Sequence, residues 1–90
     1  MTLTLKDTVP MMTSDDYKER FKAEYFQLKI RRDKLSKMID CYYAEELDFK
    51  LSSPIGVYMD QMDHMDAYLH ILEKRARHEG IDLNKEVINL

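Results

Sequence analysis

Residues 14–43 read SDDYKERFKAEYFQLKIRRDKLSKMIDCYY, with neither glycine nor proline to interrupt them. Within this stretch Phe21, Tyr25, Leu28, Arg32, Leu35, Ile39 and Tyr42 follow one another at alternating steps of four and three. That is the heptad spacing of a helix burying one stripe, here with an arginine in the seam. Ser14 or Thr13 is placed to cap the helix, and Asp15 and Asp16 suit the positive end of its dipole. The predicted helix has about 30 residues and is roughly 45 Å long at its standard rise.

A second seam answers the first. Ile55, Tyr58, Met62, Met65, Leu69, Leu72 and Ala76 step three, four, three, four, three, four. Ser53 and Pro54 predict its start as cap and first helical residue, and Gly80 predicts its end in the left-handed conformation. Residues 44–53 connect the two. The expected fold is therefore all-α: an antiparallel two-helix hairpin over 14–79, a short N-terminal arm over 1–13 and a C-terminal tail over 80–90. In the arm, Leu3 and Leu5 alternate with Thr2 and Thr4, a pattern open to an extended arm, an edge strand or a loose start. The tail carries Ile81, Leu83, Val87, Ile88 and Leu90 and is too apolar to be left in water.

Two helices bury one stripe each. Phe26, Ile30, Met59 and Ile71 lie off those stripes, and together they form an apolar patch that a monomer rarely exposes. Assembly as a homo-oligomer is the expected remedy.

Composition narrows the function. The chain has 90 residues, 14 basic and 17 acidic, for a net charge of −3. A sequence-independent DNA or RNA binder needs the opposite balance. The single Cys41 excludes an intrachain disulfide, which points to a reducing cytoplasm. No apolar run is long enough to span a membrane. No phosphate loop, zinc spacing or nucleophile motif is present, so neither an enzyme nor a cofactor or metal site is expected. Asp60 and His64 sit one turn apart, but their acidic run with Asp63 and Asp66 reads more simply as a solvated face.

Three constellations remain for binding. Lys29, Arg31, Arg32, Lys34 and Lys37 form a basic run, expected to pair with the aspartates of the second helix. Arg32 sits on the seam itself, so it snorkels, pairs with an aspartate or points into a polar cavity. Beside the seams, Tyr17, Glu24 and Arg31 recur every seven residues, as do Gln61, Tyr68 and Arg75, with Arg20 on the same side. Aromatic rings next to guanidinium groups suit a nucleotide, the ring stacking on the base and arginine forking onto phosphate. From chemistry alone the same residues suit an ordinary subunit interface better, since Tyr and Arg are enriched there in any case.

The helices also resemble a known family. Tyr17-Lys18-Glu19-Arg20-Phe21, Glu24-Tyr25, Leu28 and Lys34-Leu35 with Met38-Ile39 are similar to the first arm of the hairpin in phage cyclic-nucleotide sponges that counter CBASS and Thoeris immunity. Gln61-Met62, Met65, Tyr68, Leu72 and Arg75 are similar to its second arm. The resemblance covers roughly residues 15–79. It implies a small helical oligomer, commonly a hexamer, in the cytoplasm of the bacterial host. Such a protein sequesters cyclic di- or trinucleotides, or cyclic ADP-ribose-type signals, without cleaving them. Arg20, Tyr68 and Arg75 are the ligand-binding residues the resemblance implies, and chemistry adds Tyr17 and Arg32. The alternative is a phage helical module that binds and inhibits a host protein, using the Met59, Met62 and Met65 face or the apolar tail.

Overall fold

The computed structural model describes residues 3–83, and within them every regular element is helical. A single turn of 3-10 helix at Lys6–Thr8 leads into the four-residue helix α1, Val9–Met12. Two long helices follow, α2 at Tyr17–Tyr43 and α3 at Ile55–Glu79.

The ends of these helices show how local chemistry sets their lengths. Asp16, not Ser14 or Thr13, caps α2: its carboxylate accepts from the Lys18 amide at 2.9 Å. Ser14 instead accepts from the Asp16 amide at 3.1 Å and so fixes the cap from behind. At the far end, Glu46 N–H donates to the Cys41 carbonyl at 2.9 Å and Glu45 N–H to that of Tyr42 at 3.1 Å. This is the doubled closure of a Schellman end, which needs a left-handed residue between. That residue is Glu45, at φ 58°, where glycine is usual. Helix α3 starts one residue later than the Ser53-Pro54 reading predicts: Pro54 occupies the cap position itself and no side chain caps the helix. Gly80 ends α3 at φ 68°, as its position predicts, and lets Ile81 turn back to donate to the Ala76 carbonyl at 2.9 Å.

Residue numbers on α3 fall as those on α2 rise. The Tyr25 hydroxyl donates to Glu73 at 2.8 Å, Arg32 to Asp66 at 2.7 Å, and the Tyr43 hydroxyl to the Met59 sulfur at 3.2 Å. The core, however, is confined to the end where α2 begins and α3 finishes. Phe21, Tyr25 and Phe26 pack there with Leu69, Leu72, Ala76 and Ile81. Tyr25 and Phe26 meet edge to face, centroids 5.4 Å apart. Towards the connection the seam residues Leu35, Ile39, Ile55, Tyr58 and Met62 are only half-buried.

The arm is neither extended nor an edge strand. Its turns pack on α2, and Leu3 and Met11 cover the core cluster. Alternation of Leu and Thr over so few residues does not separate a strand from a helical turn. The deciding contact is polar: Thr8 is fully buried, its hydroxyl donates to the Leu5 carbonyl at 2.6 Å, and Gln27 of α2 donates to the same oxygen at 3.0 Å. Part of the expected exposed patch therefore disappears. Phe26 is buried and Ile30 half-buried, while Met59 and Ile71 remain exposed. Of the tail, residues 84–90 lie outside the described region; Ile81 is buried and Leu83 packs against the core.

Two outcomes follow. Glu45→Gly relieves the left-handed conformation and raises the unfolding free energy by about 0.5–1 kcal/mol, measured by chemical denaturation. Burial, and then the bond to the Glu73 carboxylate, push the Tyr25 phenol up to about 12. A raised pKa stabilises the fold below the unfolded value near 10, and that contribution is lost as pH rises through the folded one. Wild type therefore loses stability relative to Tyr25→Phe between pH 10 and 12, read from denaturation midpoints; parallel curves for the two proteins would contradict this.

Candidate functional site

The flanking stripe of α2 presents Arg20, Glu24, Gln27 and Arg31 at helical spacing, and α3 brings Tyr68 alongside them. Together with Leu28 and Met12 they line an open cleft of about 320 Å³. The Tyr68 hydroxyl donates to the Glu24 carboxylate across the two helices, and its ring stays 45% exposed. Arg20 donates one of its N–H groups to the Ser14 carbonyl at 2.7 Å. A guanidinium carries five such groups, so four are left for another acceptor. Arg31 is exposed and forms no ion pair among the described residues. Gln27 reaches Met12 as well as Thr8, donating to its sulfur at 3.1 Å, and so ties the arm to the cleft wall.

Arg75 and Tyr17 form a neighbouring cluster. Arg75 forks onto Glu79 with contacts of 2.8 and 3.3 Å, and its guanidinium lies 4.8 Å from the centre of the Phe21 ring. Tyr17 bonds the same Glu79 carboxylate. The Arg75 pair holds the Glu79 carboxyl below its usual range, and Glu79 in turn raises Arg75. Two of the guanidinium nitrogens are thus already occupied by a carboxylate of the same helix.

Arg32 stands apart from both groups. It pairs with Asp66 at 2.7 Å and Asp33 at 3.4 Å, and it lines a separate cleft of about 200 Å³ with Asp40, Asp63 and Met62. Of the three expectations for this residue, the aspartate pair is the one realised. The broader expectation, that the basic run pairs across the helices, is not: Lys29 pairs with Asp33 on its own helix, and among the described residues only Arg32 of that run reaches α3. A larger cavity of about 410 Å³ lies at the connection, walled by Tyr42, Phe49, Leu51 and Lys50.

The structure therefore gathers Arg20 and Tyr68 in one cleft, sets Tyr17 and Arg75 beside each other in a second cluster, and leaves Arg32 elsewhere. It adds Glu24, Gln27, Arg31 and Met12. Glu24 and Arg31 were legible as heptad partners of Tyr17, and Gln27 shares their stripe. Met12 reaches the cleft only through the arm's packing, for which the sequence carries no periodic signal. Among the described residues no helix is long and apolar enough to cross a membrane, and no three metal-binding side chains cluster.

These features define a small helical chain with a cleft open along one flank, its largely apolar floor edged by arginine, glutamate and glutamine side chains. A family model described as Sequestin matches residues 15–78, and the chain belongs to that family. The family name denotes sequestration, that is, a binding protein. No curated protein and no solved structure matches the chain.

The Arg75–Glu79 fork has a measurable signature. The contribution of a lowered carboxylate pKa is present at neutral pH and is lost as pH falls through the folded value. In Arg75→Ala the Glu79 carboxyl titrates at a higher pH than in wild type, followed by NMR of its side-chain carbon; an unmoved titration would show that the fork is not formed in solution.

Proposed function

We propose that this protein is a phage immune-evasion sponge, which binds a cyclic di- or trinucleotide or a cyclic ADP-ribose-type signal in the cytoplasm of a bacterial host and withholds it without cleavage. The observation that carries this reading is the cleft in which Arg20 and Arg31 stand beside the exposed ring of Tyr68. Guanidinium groups fork onto phosphate, and an aromatic face stacks on a base regardless of its identity. Membership of a family named for sequestration supports the same role. So does the resemblance of both long helices to the hairpin arms of such sponges.

Size argues for more than one chain per ligand. At about 320 Å³ the cleft lies near the floor of the 300–1,000 Å³ range of small-molecule sites. It accommodates about one nucleotide unit, so the remainder of a cyclic ligand is covered by a second copy. Met59, Ile71 and the half-buried outer seam supply apolar surface for that assembly, a homo-oligomer and possibly a ring of six on the pattern of the resembling family. Sequestration needs no turnover. It needs tight binding, and nanomolar affinity corresponds to about −12 kcal/mol.

A second reading draws on the connection, where Tyr43, Phe49 and Val57 are all more than half exposed. An aromatic tip of this kind suits a host protein as partner.

Calorimetry with a panel of cyclic di- and trinucleotides and cyclised ADP-ribose decides between them. The sponge reading expects nanomolar binding to at least one of these, fewer than one ligand per chain, intact ligand recovered on heat denaturation, and a loss of about tenfold or more in Arg20→Ala and Arg31→Ala. Silence across the panel, with a host protein captured in stoichiometric amount and lost in Phe49→Ala, would establish the second reading instead.

A further inference from the structure

The cleft of the proposed sponge contains a group that a phosphate site would be expected to avoid. Among the described residues Glu24 is the one carboxylate on its wall, between Arg20 one turn before it and Arg31 two turns after. Its charge also acts on Arg75. Yet none of these arginines forms an ion pair with it. Arg20 is turned to the Ser14 carbonyl, Arg75 to Glu79, and Arg31 has no carboxylate partner among the described residues. The polar contact that Glu24 does make is with the Tyr68 hydroxyl. The arrangement leaves the cations available while a negative charge stands among them, bound to the aromatic ring that would receive a base.

Resting on the sponge reading, we propose that Glu24 is the specificity-determining residue of the cleft: its carboxylate repels bare phosphate and fixes the Tyr68 ring, so that the site accepts phosphate only when it is joined to a stacking base. Like charges roughly 10 Å apart near a protein surface oppose each other by an amount that lowers affinity about tenfold. A free phosphate or pyrophosphate meets that repulsion with only arginine contacts to offset it. A cyclic nucleotide adds stacking on Tyr68, of the order that outweighs the penalty. The carboxylate therefore acts against the wrong ligand more than it favours the right one, which is how discrimination is commonly built.

Glu24→Gln removes the charge while keeping the size and an oxygen for the Tyr68 hydroxyl. The probes are inorganic pyrophosphate and the cyclic-nucleotide panel, titrated into wild type, Glu24→Gln and Tyr68→Phe. The expected result is that pyrophosphate binds Glu24→Gln at least tenfold more tightly than wild type, and that the preference for cyclic nucleotide over pyrophosphate shrinks accordingly. Tyr68→Phe, which keeps the charge, gains nothing for pyrophosphate. Unchanged, weaker or undetectable pyrophosphate binding in Glu24→Gln overturns the proposal. So does an equal gain in Tyr68→Phe, since loosened packing would then explain both. Wild type silent to every cyclic nucleotide would sink the sponge reading and with it the preference for a stacking base, whereas the exclusion of bare phosphate by Glu24 is scored from the pyrophosphate comparison alone.

Discussion

Burial of Phe21, Tyr25 and Phe26 against Leu69, Leu72 and Ala76 is the contact on which every other feature leans. Each phenylalanine or leucine among them contributes about 1.5–3 kcal/mol when taken from water, whereas ordering the backbone costs about 1–2 kcal/mol per residue. In a chain this small the balance is narrow. It is struck at one end of the molecule, where the arm and the residues after α3 thicken two helices into something with an interior. The remainder of α2 and α3 projects from that end with its seam half in water. The cleft lies beside the packed end, where α2 and α3 are held most firmly, which keeps Arg20, Glu24 and Tyr68 in fixed relation.

The two neighbouring arginines illustrate how sharply a helix sorts its side chains. Consecutive residues are turned by about 100°. Arg31 consequently faces the cleft with no counterion among the described residues, while Arg32 faces the acidic flank and meets Asp66 and Asp33. Being partly exposed, the Arg32–Asp66 pair is worth at most about 1 kcal/mol. It orients α2 against α3 more than it holds them together. The same residue type thus serves register at one position and is left without a carboxylate partner among the described residues at the next.

Much of this was legible in advance. Both long helices and the glycine stop of α3 follow from period and punctuation, since a heptad seam and a left-handed glycine leave few alternatives. The cap of α2 was misread because Ser14, Asp15 and Asp16 all cap well, and only the path of the chain before them selects Asp16. The Schellman end at Glu45 was invisible, because the left-handed residue there is not the one that advertises it. The concentration of the core at one end was hidden for a related reason: evenly spaced seam residues say nothing about what a third segment will cover. The arm supplied that cover through Thr8 and Gln27, two polar residues that no hydrophobic pattern records. In the cleft, heptad spacing identified the stripe of Tyr17, Glu24 and Arg31. Which arginine on it was left unengaged depended on carboxylates from another turn or another helix.

The bond from Gln27 to the Met12 sulfur joins two parts of the chain with different standing. The family match begins at residue 15, so Met12 precedes it while still forming a wall of the cleft. One side of the cleft is therefore built from residues that precede the matched span. Exchange of the leading residues would recast that wall and would also remove the Leu3, Met11 and Thr8 contacts that cover the core. The wall of the cleft and the cover of the core are thus one segment, and neither can be altered without the other.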